Sequence, residues 1–384
     1  LTRPFVALRV TRITLCLSVL VAKFTCARRA YFPVLTMKFI RQIWFMAVHQ
    51  NPKGFFWWEV RLLLRMLSFF YYIGIKLRLC LYWVGIFRAR KLPAYVISVG
   101  NLTVGGTGKT PFVLYLAERL SKSNKVGILA RGYGSDAKVS EDDENMALPA
   151  NVIRATNPDR VSAGEKLIKE QGVQTIILDD GFQHLALRRD VDIVLIDATN
   201  PFGKGRLMPA GILREPQASL KRADIFVLTH VDLVTPEQLN ALEQKLRKYN
   251  KKIVNAIHKP QYLVDMARPD KTIDLSAIKD KNIWEFCGIG NPFQFHKTLN
   301  ALCNIKGLSV FPDHYYYSQP DLQAMFLKAR MEKTEAFITT EKDALRLKDV
   351  KIPEGIPCYY LKIKIEIVEG NLILEEVTVN TKHE

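Results

Sequence analysis

One short run restricts the folds open to this chain more than any other: Ser98-Val-Gly-Asn-Leu-Thr-Val-Gly-Gly-Thr-Gly-Lys-Thr110. An apolar, β-rich segment (residues 94–99) precedes it and a helical segment (residues 111–120) follows. Strand, glycine-rich turn and helix in that order place backbone N–H groups where they can close on phosphate oxygens. Gly105, Gly106 and Gly108 permit the close approach, with Thr103, Val104 and Thr107 between and before them. Lys109 can reach the β- and γ-phosphates, and the Thr110 hydroxyl can ligate Mg²⁺. The strict pattern has glycine where Thr103 stands, but the glycine pair and the strand–helix context supply the rest. The competing reading is a glycine-rich turn without a ligand.

The chain beyond residue 92 repeats the same grammar. Short apolar runs at residues 94–99, 126–130, 175–178, 191–196, 225–229, 283–287, 336–339 and 357–363 alternate with helical stretches. That pattern predicts an α/β fold of the P-loop NTPase type, a mostly parallel sheet buried on both faces. A length of 384 residues suggests a P-loop nucleotide-binding domain (residues 92–210) and a second, smaller α/β domain (residues 211–384). Residues 135–145 are acidic and polar and read as a loop. Residues 200–215, rich in Pro and Gly, read as a long loop and a candidate hinge. Six scattered cysteines without a C-x-x-C pair fit a reducing compartment better than a disulfide framework.

Charge separates a third region. The net charge is +17, yet residues 1–91 hold sixteen Lys and Arg against one acid, Glu59. The remainder is nearly neutral, so the basic composition does not argue for a nucleic-acid partner. Residues 1–36 form a doubtful N-terminal extension, either a targeting segment or sequence upstream of a start at Met37. Residues 37–91 hold four of the five tryptophans and a proline-free stretch from Glu59 to Arg90. This predicts a long helix. Charges at Lys76 and Arg78 break its uncharged runs below the ~18 residues needed to span hydrocarbon. Arg61, Arg65 and Lys76 fall within about 60° of one another on a helical wheel. Aromatics interleaved with bases suit a helix lying on an anionic membrane surface. A helix packing on a partner or domain is the alternative.

A second motif is Thr175-Ile-Ile-Leu-Asp-Asp-Gly-Phe-Gln-His184. An apolar strand ending in two acids matches a Walker B site, where Asp179 and Asp180 can serve a magnesium ion that keeps several waters. Thr229-His-Val-Asp232 lacks the Asn and Lys of a guanine-reading motif and reads as the end of a strand.

Taken with the motifs that follow, these residues resemble the tetraacyldisaccharide 4′-kinases of lipid A synthesis. The resemblance runs through Arg131-Gly-Tyr-Gly134, Asn157-Pro-Asp-Arg-Val161, Pro209-Ala-Gly-Ile-Leu-Arg-Glu-Pro216, Gly288-Ile-Gly-Asn-Pro292, Phe311-Pro-Asp-His314 and Thr340-Glu-Lys-Asp-Ala344. Leu67-Ser-Phe-Phe-Tyr-Tyr, with Arg78 and Tyr82, looks like the family's membrane helix. The resemblance implies an ATP- and Mg²⁺-dependent kinase. It would phosphorylate the 4′-hydroxyl of a tetraacyl lipid A disaccharide 1-phosphate from the cytoplasmic face of the bacterial inner membrane, as a peripheral protein without an obligate protein partner. It implies His314 and a carboxylate as the groups that deprotonate the sugar hydroxyl. No Gly-Asp-Glu-Pro stands here, and the nearest run, Asp142-Asp-Glu-Asn145, puts the family Asp at Asp143, with Asp142 and Glu144 beside it. It also implies Arg214 at nucleotide phosphate and Glu215 at the metal. Asn101, Arg131, Tyr133, Gln183 and His184 are its implied substrate contacts, and Glu341-Lys-Asp343 reads as structural. The other function class to weigh is a membrane-associated P-loop switch, or partner-positioning ATPase. Val104 weighs against it, because it stands where that deviant loop carries a lysine.

Overall fold

The computed structural model describes residues 43–50, 52–132, 148–313 and 315–380. Two compact units divide the chain: residues up to Phe70 with Met208–Gly211, and Tyr71–Leu207 with Ile212 onward. In the first, Trp44 Nε1 donates to Pro209 O at 2.7 Å and Arg61 donates to Pro52 O at 2.8 Å. Helix α1 (Phe55–Trp83) starts in this unit and continues into the second. None of its residues is fully buried, but a stripe that includes Trp57, Val60, Leu64, Ser68, Ile75, Leu79 and Tyr82 is half-buried.

The second unit is built on one twelve-stranded sheet. Its first parallel block holds β1 (Tyr95–Asn101), β2 (Val126–Ala130), β3 (Val152–Thr156), β4 (Thr175–Asp179), β5 (Val191–Asp197), β6 (Ile225–Thr229) and the start of β7 (Lys252–Asp265). In space the order is β3-β2-β4-β1-β5-β6-β7. The second block, counted from the seam outward, is β12 (Cys358–Glu369), β11 (Ala336–Thr340), β9 (Asn282–Cys287) and β10 (Asn304–Val310), also parallel. The blocks meet where β12 runs antiparallel to β7, and β8 (Arg268–Ile273) pairs with β7 alone. Past residue 210 the chain therefore still supplies β6 and β7 to the block that carries the P-loop.

Alternation along each strand decides which side chains meet which helix layer. Tyr95, Ile97 and Val99 pack on α2 (Lys109–Leu120) through Phe112, Val113 and Leu116, together with Leu374 of α8 (Asn371–Asn380). Val96 faces the other way, to Val161 and Leu167 of α3 (Arg160–Gln171). The second block repeats this. Trp284, Phe286 and Phe337 meet α6 (Gln319–Met331), while Ile283 and Ile338 meet α5 (Pro292–Asn300). Local chemistry starts the helices. Asp159 caps α3, Thr235 and Gln238 form a capping box on α4 (Pro236–Arg247), and Ser318 and Asp321 do the same for α6.

Candidate active site

Strand register brings the two sequence motifs together. In the β1–β4 ladder Val99 stands opposite Asp179, so the acid pair begins beside the start of the glycine loop. The chain turns at Asp180, whose φ is 53°, and Gly181 N then donates to Val99 O at 3.0 Å. This return crosses Gly100 so closely that a Cβ there would lie 2.6 Å from the Phe182 Cβ. The loop is held from several directions. Asn101 Nδ2 donates to Thr107 Oγ1 at 3.0 Å, Thr229 Oγ1 donates to Thr107 O at 3.1 Å, and Val104 N donates to Ile212 O at 2.7 Å. Gly108 takes a left-handed φ of 78° as the residue preceding α2. A Cβ on it would lie 2.4 Å from the buried His258 ring, so both its conformation and its space require glycine.

Lys109 and Thr110 open α2, and the Lys109 ammonium lies 3.5 Å from Asp180 Oδ1. Arg214 donates to Asp180 Oδ2 at 2.7 Å, and Arg160 donates to Asp180 O at 3.2 Å. Burial alone would raise the Asp180 pKa, but the fields of Lys109 and Arg214 outweigh it and hold the carboxyl well below the usual range. Asp179 goes the other way. Burial raises it more than Arg154, 3.8 Å away, can lower it. Lys109 itself is shifted down by burial, against the pull of Asp180. Two adjacent acids thus hold their protons very differently.

The sequence-predicted residues fall into four groups. Thr103 through Thr110, Asp179, Asp180 and Arg214 come together around one turn. Gln183 and His184 lie at its margin. Gln183 Nε2 donates to Asn101 O at 3.0 Å, and Arg78 of α1 donates to Gln183 O at 2.8 Å. His184 is pushed down to about 4 by burial, then by the charges of Arg160, Arg189, Arg78 and Arg131. Asn101 is fully buried and spends its amide on Thr107, so it shapes the loop. Glu215 is buried, with both oxygens accepting from Arg222 at 2.8 and 3.1 Å. Asp143, its neighbours Asp142 and Glu144, Tyr133 and His314 lie outside the described residues.

Four contributors escape a reading by motif alone. Arg154 and Arg160 flank the acid pair from β3 and α3. Thr229, read as a strand end, anchors the loop through its hydroxyl. Lys342, from the Thr340–Ala344 motif, donates to Thr110 Oγ1 at 2.9 Å. The available signal was position, because Thr229 and Lys342 both sit at or just after the C-terminal end of a parallel strand, where α/β sheets collect ligand-binding groups.

Thr110, Asp179 and Asp180 offer hard oxygen donors that suit Mg²⁺. Among the described residues no cluster of three or more His, Cys, Asp or Glu gathers.

A glycine loop at the end of β1, with an acid pair on the adjacent strand of a parallel sheet, defines a P-loop phosphate-binding protein. The family described as tetraacyldisaccharide-1-P 4′-kinase, LpxK, matches residues 60–378, and the chain belongs to that family. It is 35% identical to a tetraacyldisaccharide 4′-kinase of Halothermothrix orenii, over 83% of this chain and 92% of that protein. A tetraacyldisaccharide 4′-kinase of Anaeromyxobacter dehalogenans is 36% identical over 78% and 85%. The crystal structure of LpxK from Aquifex aeolicus, an "apo" form in complex with ATP, superposes with a TM-score of 0.63 at 30% identity. It covers 83% of this chain and 98% of that one.

Proposed function

We propose that the chain transfers the γ-phosphate of ATP to the 4′-hydroxyl of a tetraacyl lipid A disaccharide 1-phosphate, as an Mg²⁺-dependent kinase at a membrane surface. The observation that carries this reading is the approach of Lys109 to Asp180 beneath the glycine loop, in a chain whose residues 60–378 match the family. Phosphoryl transfer needs little covalent help from a protein; it needs positioning and charge neutralisation. Backbone N–H groups of residues 105–110 bind the phosphates, and Lys109 releases Asp180 to meet the β- and γ-oxygens. Arg214 holds Asp180 in place. Thr110, Asp179 and Asp180 would hold the metal, which when bound neutralises charge on the transferring group. Asp143 and His314 are the proposed acceptors of the sugar hydroxyl proton, on the resemblance given above.

Helix α1 supports the membrane part. Arg78 and Tyr71, both on its C-terminal half, bond the Gln183 and Arg214 carbonyls, so this half of the helix adjoins the loops of the site. Acyl chains can stay among lipid tails while the sugar head reaches the loop. Among the described residues no helix is long and apolar enough to cross a membrane, and the arrangement proposed is interfacial. The place proposed for it is the cytoplasmic face of the inner membrane, where ATP is available. The proposed division of labour is a nucleotide domain (residues 92–210), whose sheet β6 and β7 extend, and a second α/β domain (residues 211–384) that completes its site.

Transfer of labelled phosphate from ATP to the purified disaccharide acceptor, in detergent, tests the reading. The expected outcome is acceptor-dependent label on the lipid, lowered at least about a hundredfold by Lys109→Met. ATP hydrolysis independent of any sugar lipid, or full transfer by the Met variant, would overturn it.

A further inference from the structure

Lys342 is held in place by more than its own bond. Thr340 caps α7 (Glu341–Arg346), with Asp343 N donating to its hydroxyl. The Thr340 hydroxyl donates to Asp343 Oδ2 at 2.6 Å, and the fully buried Asp343 accepts from Gly288 N at 3.1 Å. Arg346 closes the turn onto Gly288 O at 3.0 Å, while Lys362 pairs with Glu341 on the other side. The turn is fixed on both flanks. Between them Lys342, half-buried, extends to the first turn of α2 and donates to Thr110 Oγ1 at 2.9 Å. It is near enough to help lower Lys109 and to oppose the rise of Asp179.

Thr110 is the P-loop hydroxyl that the donor set assigns to the metal. A hydroxyl oxygen has two lone pairs, so charge and not acceptor capacity sets an ammonium on it against a metal. A monovalent and a divalent cation on one oxygen repel strongly at such range. The two occupants exclude each other. A lysine stem is long and flexible, so the ammonium can leave Thr110 without α7 moving.

We propose that Lys342 is a tethered cation of the phosphate site: it stands in for the metal at Thr110 while the loop is empty and pairs with the terminal phosphate of ATP once the metal takes that oxygen. The proposal rests on the reading of this loop as an ATP site and adds a phosphate-binding residue from the second block of the sheet. It separates ATP from ADP, because only ATP carries the phosphate that Lys342 would meet.

Calorimetric titration of ATP and of ADP into wild type, Lys342→Met, Lys342→Gln and Lys342→Arg, with EDTA and again with Mg²⁺, tests it. Loss of one charge-assisted hydrogen bond predicts ATP affinity lowered about ten- to hundredfold in the Met and Gln variants. ADP affinity should stay within about twofold, and Arg should keep ATP binding. Glutamine retains a donor for Thr110, so the Gln variant reads charge even if Met disturbs folding. In the nucleotide-free protein, Mn²⁺ followed by electron paramagnetic resonance should bind several-fold more tightly to the Gln variant, because the competing charge is gone. Equal loss of ATP and ADP affinity would reduce Lys342 to a structural pin. Unchanged ATP affinity, or unchanged Mn²⁺ affinity, would also overturn the proposal. The wild-type titration judges the underlying assignment separately: absence of ATP binding there would remove the nucleotide site itself.

Discussion

At the scale of single residues, the site is a set of charges whose partners were visible only in part. Lys109, Asp179 and Asp180 are legible in the sequence because each lies in a contiguous run whose spacing has one chemical use. Thr229, Arg154 and Lys342 are not, because strand order brings them in from distant segments, and the runs around Thr229 and Lys342 read as a strand end and as structural. His184 gives a test of this crowding. Partial burial, then four arginines, hold its folded-state pKa at about 4, against an ordinary value of 6.5. The folded protein keeps the ring neutral where the unfolded chain protonates it, so the unfolded state binds more protons between these values. Stability is intact above about pH 6.5 and declines as pH falls toward 4, after which this contribution is constant. His184→Gln should therefore flatten the urea-midpoint curve across that window and leave it nearly unchanged near pH 8. A variant curve that ran parallel to wild type from pH 6.5 to 4 would remove His184 from the account.

At the scale of elements, most strands legible in the sequence are buried on both faces and read as continuous apolar runs; β12 is legible though only partly buried, and β7, central but mixed in burial, is not. β3 and β10 form the two edges of the sheet and β8 hangs from β7 alone. β10 alternates half-buried with exposed positions and β8 is almost wholly exposed, which leaves no apolar run to see. Helix α1 is legible for the opposite reason: its aromatic density has no use in a buried core. Trp83 is 87% exposed and Phe55 74% exposed. Such a surface requires a non-aqueous neighbour. If that neighbour is anionic lipid, each base near the surface contributes about 1 kcal/mol. Replacing Arg61, Arg65 and Lys76 together by Gln should lower binding to phosphatidylglycerol-containing vesicles about a hundredfold. Binding to purely zwitterionic vesicles should change little. Cosedimentation measures both. Equal weakening on the two vesicle types would mean that the helix was disturbed, and no weakening on either would leave the bases without a membrane role.

At the scale of the whole sheet, the nucleotide loop belongs to neither parallel block alone. β1 and α2 carry it, yet Gly290 lies against its glycines, where an added Cβ would come 2.8 Å from Gly106 N, and Lys342 reaches its threonine. Both come from the block beyond the antiparallel β7–β12 seam. Asp343 joins the two contributors by accepting from Gly288 N while it closes the turn that presents Lys342. A ligand on the loop should therefore be felt on both sides of the seam. Binding stabilises whatever must open to release the ligand, by about 2.7 kcal/mol at a ligand concentration a hundred times Kd. Amides that exchange only through that opening then slow about a hundredfold. Hydrogen exchange with saturating ATP should accordingly protect residues 100–110 and 179–184, and to a similar degree residues 287–291 and 340–346. Residues 268–273, on the exposed β8, should exchange as they do without nucleotide. Protection confined to the first two segments would mean that the second block only borders the site. Protection of all four, with β8 unchanged, would establish that the loop, the Gly288–Asn291 turn and α7 form one binding unit assembled across the seam.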